Sequence, residues 1–240
     1  MSATGNPYAD THTMYIVHDM MRREFGLLPG LVRSVPAKDE ERVRIVADHI
    51  TLLCGFLHHH HSAEDAVLWP LLLARAPKEI DPVVHLAEGH HKNIEGLITE
   101  VEGRLGTWSV SADNEDGEVL AHTLQRLAAA LYEHMGLEER LVLPLAERHV
   151  FATEWEQMKA QAVSAITPEN GPLVAGMVMY EGGTEILPEE MRAVVAEMAP
   201  SAYAAYCERV HGTPTPPRST DLVLGAPFFG IKSQNSEFAR

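Results

Sequence analysis

The sequence predicts an all-α protein: an up-down four-helix bundle built from two helical hairpin repeats, with additional C-terminal helices and an irregular tail. Three observations predict it. First, the run His60-His61-Ser62-Ala63-Glu64-Asp65, closed by Trp69-Pro70, returns 74 residues later as His134-Met135-Gly136-Leu137-Glu138-Glu139, closed by Pro144. Second, the repeat extends upstream. His18 lies 42 residues before His60 and His91 lies 43 before His134, and both are followed at +3, +7 and +10 by apolar residues: Met21, Phe25 and Leu28, then Ile94, Ile98 and Val101. His90 would put Asn93, Leu97 and Glu100 at those offsets, so the register selects His91. Third, two stripes have helical period: Leu53, Phe56, His60, Glu64, Val67, Leu68, Leu71, and Leu127, Leu131, His134, Glu138, Leu141, Leu145.

Taken in order, residues 1–12 read as a flexible leader. The first helix runs from about Thr13 to Val35 with Tyr15, His18, Met21, Phe25 and Leu28 on one face, and Gly26 with Pro29-Gly30 predicts a kink or an early end. Lys38-Asp39-Glu40-Glu41 opens the second helix with acids in the first turn, where the helix dipole favours them. It continues to about Ala76, and Pro70 should bend it near Ala66. The third helix opens at Asp81-Pro82 and ends near Leu105, and the polar segment Gly106–Asp116 reads as a loop. The fourth spans about Gly117 to Arg148, bent by Pro144 as Pro70 bends the second. Residues 13–150 thus form the bundle, 151–212 a C-terminal helical extension and 213–240 an irregular tail. Within the extension, Trp155–Ala165 reads as a helix, Pro172–Tyr180 as a short apolar stretch turned by Glu181-Gly182-Gly183, Leu187-Pro188-Glu189-Glu190 as a helix start, and Pro200–His211 as a further helix ended by Gly212. The methionines there read as core.

The net charge of −15 argues against nucleic acid, whose phosphates need a basic face, and against an anionic membrane surface. Cys54 and Cys207 make no disulfide framework, and Cys54 reads as buried apolar filler. The first residues lack the basic and apolar regions of a signal peptide, and no apolar run has the roughly 18–20 residues that span a bilayer. A soluble, cytoplasmic protein is the expectation.

The chemistry lies in the repeated box. On a helix, residues i and i+4 stand one above the other, so His60 and Glu64 point the same way, as do His134 and Glu138. Imidazole nitrogen with carboxylate oxygen suits iron, manganese or zinc. Four helices can project such groups into one interior. Two buried glutamates without a cation would cost several kcal/mol or be forced to protonate. If both glutamates bridge two ions, each ion takes two imidazoles and two carboxylate oxygens; an oxo or hydroxo bridge leaves one octahedral position open on each.

These residues, His18, the His60-x3-Glu64 box with Trp69-Pro70, His91, and the His134-x3-Glu138 box with Pro144, resemble the hemerythrin-like (HHE) cation-binding family in its H-HxxxE-H-HxxxE form, over about residues 13–150. The resemblance implies metal ligands at His18, His60, Glu64, His91, His134 and Glu138, and a non-haem di-iron cofactor, oxo- or hydroxo-bridged. It implies a partner that is a small oxidant: oxygen, hydrogen peroxide or nitric oxide. The chain departs from the oxygen-carrying hemerythrins. Ala87 stands where a His-x3-His pair would begin, and the last carboxylate is Glu138 at +4 where the carriers use Asp at +5, a position held here by Glu139. A peroxide- or oxygen-reactive, catalase-like activity is therefore left open alongside simple binding.

Around this set stand open alternatives. His61 is a candidate extra ligand; Asp65 and Glu139 could bind beside or in place of the +4 carboxylates. His58 and His59 read as solvated or outer groups, and His49, His85, His90 and His122 as surface or loop residues. Tyr15 could donate to a bound ligand or simply pack. In function, the alternative is an iron- or oxygen-responsive sensor acting through its C-terminal helices, since residues 151–240 are long enough for a homodimer contact or a protein partner. A ferritin-like oxidase would need two Glu-x-x-His elements, and the bundle offers only Glu88 to His91. A structural zinc site would accept the same ligands.

Overall fold

In the computed structural model the described residues are 7–75, 78–164, 166–167, 169–182 and 189–225, with backbone alone for residues 79, 189–196 and 223–225. The chain is all-α: among the described residues no strand forms, and one isolated antiparallel bridge joins Tyr8 to Phe151. Among the described residues ten α-helices follow in order: α1 His12–Arg33, α2 Glu40–Ala63, α3 Trp69–Arg75, α4 Asp81–Ser111, α5 Asn114–Leu137, α6 Leu143–His149, α7 Ala152–Ala162, α8 Gly171–Gly182, α9 Glu189–His211 and α10 Ser219–Gly225. Two five-residue π-helical turns, Glu64–Leu68 and Glu138–Val142, join α2 to α3 and α5 to α6 without a break. The long helices pack in a ring: α1 beside α2 and α5, α4 beside α2 and α5.

The two prolines have a specific consequence. A proline has no N–H to give the carbonyl four residues back, and its ring crowds that carbonyl. The chain answers with one wider turn. The Trp69 amide donates to the Glu64 carbonyl and the Leu143 amide to the Glu138 carbonyl, each five residues back. The extra residue advances the buried stripe by one position. After Glu138 the residue in the core is Val142, whereas Leu141, expected inward, is 44% exposed. After Glu64 the fully buried residues are Leu68, Trp69 and Leu72, and Val67 and Leu71 only half-buried.

Other expectations are revised. α1 runs close to its expected span of about Thr13 to Val35, and the early end considered at Gly26 or Pro29 does not occur: the helix continues to Arg33 because Leu28, Leu31 and Val32 bury against the core. The loop expected at Gly106–Asp116 is mostly helix. α4 runs to Ser111, Trp108 buries against Gly117 of α5, and the connection shrinks to Ala112, in the left-handed region at φ 49°, and Asp113. Residues 7–11, expected within a flexible leader, are held at the end of the core: Ala9 N–H donates to Val150 O at 2.9 Å, Ala152 N–H to Pro7 O at 2.9 Å, and Thr11 Oγ1 to Glu147 at 2.6 Å. In the extension the apolar stretch Pro172–Tyr180 is helical, and the helix takes in Glu181 and Gly182, expected to begin a turn, while Gly183 lies outside the described residues; α9 runs unbroken through Pro200 to His211, and Gly212, with φ of +72°, follows its end. Leu187, Pro188 and residues 226–240 lie outside the described residues.

The extension lies on the core. α8 packs on α1 and α9, α9 also touches α2, and α7 packs on α2. Gly176 lets α8 approach α9 closely: a Cβ there would sit 2.5 Å from the Ala199 carbonyl oxygen. Apolar residues form two clusters. One contains Met21, Phe25, Ile50, Leu57, Ile94, Val101, Leu124 and Leu131; the other contains Met14, Leu68, Trp69, Leu72, Ala87, Leu137, Val142 and Ala146. In α4 the sequence passes from one cluster to the other across His91; in α1 the change falls between Met14 and Ile16, just before His18, and in α5 between Met135 and Leu137, just after His134.

Candidate metal centre

Between the clusters lies a polar layer. His18, His60, Glu64, His91, His134 and Glu138 are all buried. α1 supplies His18, α2 His60, α4 His91 and α5 His134. The two glutamates open the two π turns. Each carboxylate faces imidazoles from two helices. Glu64 lies 3.3 Å from His60 Nε2 through Oε1 and 3.5 Å from His91 Nε2 through Oε2. Glu138 Oε2 lies 3.4 Å from both His18 Nε2 and His134 Nε2. Across the layer, His91 Nε2 and His134 Nε2 are 3.1 Å apart. Two nitrogens each about 2.0–2.1 Å from one ion stand about 3 Å apart at a right angle, so this spacing suits two ligands of one ion.

The electrostatics are those of a site waiting for positive charge. Burial pushes Glu64 well above the usual carboxylate range, and the nearby carboxyls of Glu138 and Asp65 push it further. Burial, then Glu139 and Asp65, do the same to Glu138. Burial, with neighbouring imidazoles adding to it, drives His60 and His134 well below the usual histidine range, and burial also lowers His18. All four glutamate oxygens and His18 Nε2 are buried without a hydrogen-bond partner. Buried polar groups normally find partners, and a set of converging orphans asks for an ion. The atoms fall into two groups that could each hold a metal ion: His18, His60 and Glu138, and His61, Glu64, His91 and His134.

His61 thus joins the site, although the sequence left it as one alternative among several. One residue past His60 it turns about 100° on the helix, which here takes it toward α4 and α5. Its ring stacks on His91 with centroids 4.1 Å apart and lies 4.9 Å from His134, and its Nε2 is buried and unpartnered.

Asp65 and Glu139 do something else. Asp65 Oδ1 accepts from His91 Nδ1 at 2.7 Å and from Trp69 Nε1 at 2.8 Å. Glu139 Oε1 accepts from His18 Nδ1 at 2.9 Å and from Arg22 Nη2 at 2.7 Å. Burial pushes each acid up, but these hydrogen bonds outweigh it and hold both below the usual carboxylate range. An ionised acceptor puts the proton on Nδ1 and leaves the Nε2 lone pair toward the buried glutamates. The arrangement is reciprocal: the acid of each repeat orients the lone histidine of the other.

The remaining histidines sort cleanly. His58 is exposed beside Glu95, and His85 beside Glu88; His122 is exposed. His90 is half-buried, its ring 5.9 Å from that of His134. His49, expected at the surface, is fully buried and faces Glu24 and His211 at the base of the extension. Tyr15 is 37% exposed, with its hydroxyl 3.4 Å from the Glu139 carbonyl rather than toward the cavity. Cys54 is buried and apolar in its surroundings, and burial pushes its thiol up to about 12.

Fold and site together define a helical protein with buried histidine and glutamate groups able to hold metal. The family model for the hemerythrin HHE cation binding domain matches residues 9–146, more than half of the chain. The chain belongs to that family. No curated protein and no solved structure matches it. Among the described residues no helix is long and apolar enough to cross a membrane.

Proposed function

We propose that the four packed helices are an up-down bundle of two hairpin repeats holding a non-haem di-iron centre that binds or reacts with a small oxidant: oxygen, hydrogen peroxide or nitric oxide. The observation that carries this is the pair of buried glutamates with all four oxygens unpartnered, each between imidazoles of two helices. His18 and His60 would hold one ion, His91 and His134 the other, and Glu64 and Glu138 would bridge them. With His61 beside His91 and His134, one group of residues would offer an ion three imidazoles and the other two. The His18–His60 side then has the fewer protein ligands and is where a small molecule would enter.

Two ferrous ions supply two electrons to an oxidant when bound. The residues do the rest. Asp65 and Glu139 fix the rings of His91 and His18. Trp69, Leu68, Val142 and Leu137 wall one side of the layer and Leu57, Leu131 and Met135 the other, which keeps bulk water from the ligands. The test is metal analysis of protein purified without chelator, with its optical spectrum before and after peroxide. Iron bound at the bundle site and near-ultraviolet absorption that responds to peroxide support the reading; a folded protein without iron ends it.

A second reading, an iron- or oxygen-responsive sensor working through the extension, is favoured by one contact. α8 and α9 dock on α1, the helix that bears His18, through Arg23 and Glu24. A homodimer contact or a protein partner on residues 151–240 belongs to this reading. Iron-dependent change in protease cleavage of the extension would support it; identical cleavage with and without iron counts against it.

A further inference from the structure

A second group of unpartnered polar atoms lies outside the bundle site, where the extension meets α1 and α2. Glu24 is six residues beyond His18, a rotation that turns it to another face of α1. Its side chain and that of His49 are fully buried; His211, the last residue of α9, is 8% exposed. Glu24 Oε2 stands 3.5 Å from His49 Nε2 and 4.0 Å from His211 Nε2. None of these three atoms has a hydrogen-bond partner. All three lie within 4.8 Å of one another.

The surroundings fix this arrangement. The other oxygen of Glu24 is fully used: Oε1 accepts from Arg23 Nη2 at 2.8 Å, Arg23 Nε at 3.2 Å and the Tyr203 hydroxyl at 2.8 Å. That leaves Oε2 turned to the imidazoles. His49 Nδ1 is 2.9 Å from the Tyr206 hydroxyl, which can accept its proton and free Nε2. Arg42 donates to the carbonyls of Arg209 and Val210, pinning the end of α9 beside His211. Arg23 is also held by Glu181 of α8 and by the Met177 carbonyl. The carboxylates of Glu24 and Glu181 balance the guanidiniums of Arg23 and Arg42, and neither arginine is hydrogen-bonded to Glu24 Oε2, the oxygen that faces the imidazoles.

We infer that Glu24, His49 and His211 form a mononuclear site for a divalent transition ion of the zinc or ferrous class, which clasps the end of α9 to α1 and α2. Two neutral imidazoles and one carboxylate are a ligand set that both ions accept. Four-coordinate ligands about 2.0–2.1 Å from an ion are about 3.3–3.4 Å apart; the Glu24–His49 contact at 3.5 Å already fits, and His211, at 4.0 Å from Glu24, has to move inward. Water completes the coordination. The site is separate from the bundle centre: it shares no residue with it, and although both draw on α1 and α2, it adds α9 where the bundle centre adds α4 and α5.

The test is zinc content per chain after loading and desalting, for the parent protein, His49→Gln and His211→Gln, with helicity checked by circular dichroism. Each variant should hold one ion fewer per chain than the parent; equal content overturns the inference. His91→Ala and His91→Ala/His211→Gln should also differ by one ion, whatever His91→Ala loses, which separates this site from the bundle centre. Should a variant lose helicity, tryptic cleavage at Arg209 and Arg218 decides. Zinc should slow it in the parent and not in a helical His211→Gln protein, and zinc-indifferent cleavage in the parent overturns the inference.

Discussion

At Asp65 and Glu139 the difference between binding a metal and positioning its ligand is one residue of helix. Position +4 from the histidine faces the buried imidazoles; position +5 turns past them and meets the back of a histidine on another helix. Asp65→Asn and Glu139→Gln should therefore keep the fold while weakening metal binding by about 10–100-fold, the usual cost of losing a partner behind a ligating imidazole. Chelator competition at fixed pH measures this. Loss of stoichiometry in place of affinity would make these acids ligands. The glutamates give a pH prediction. Burial raises Glu64 and Glu138 well above the usual carboxylate range, so in the metal-free protein protons occupy what the ions need as carboxylate. Metal loading should release protons, and apparent affinity should rise with pH. Proton release followed in weakly buffered solution checks the sign; an affinity that falls as pH rises contradicts it.

Among the elements, the two π turns set what is buried. Because each adds a residue, Val142 and Leu68 face the core while Leu141 faces water. Leu68→Ala should cost about 2–5 kcal/mol in denaturant unfolding, the range for emptying a core leucine site. Leu141→Ala should stay within about 0.5 kcal/mol, as surface changes do. A helix without the wider turn would make Leu141 the costly position. The repeat, the six buried His and Glu residues and the four long helices were legible from spacing, because position on a helix follows from counting. The stripe beyond each glutamate was legible only in part: Leu68 was expected inward and is buried, whereas Leu141 was expected inward and is exposed. Pro70 and Pro144 announced a disturbance, but a bend and a π turn begin from the same missing N–H. The helix through Gly106–Ser111 was hidden by its polar composition; burial of Trp108, a tertiary fact, overrides it. His61 was visible as a neighbour of His60, and only the packing of α4 and α5 shows that its ring has anywhere to go. Nothing in sequence joined Glu24, His49 and His211, which are distant in the chain and lie on no shared period.

The whole molecule is a helical core with its histidine and glutamate layer between two apolar clusters and a C-terminal extension laid on α1. The docking of that extension rests on Arg23, buried between Glu24 and Glu181 and flanked by the rings of Tyr180 and Tyr203. Removing a buried guanidinium strands two carboxylates, so Arg23→Ala should destabilise by about 3–5 kcal/mol in urea unfolding. A change under about 0.5 kcal/mol would mean that the extension docks without it. The account depends most on one claim: that cations stand between the two repeats and make their buried carboxylates tolerable. An anomalous-difference map, recorded at the iron absorption edge from crystals of protein purified without chelator, tests it most directly. Two peaks between Glu64 and Glu138, one beside His18 and His60 and one beside His91 and His134, are the predicted result; a folded protein with no peak between those glutamates would contradict it.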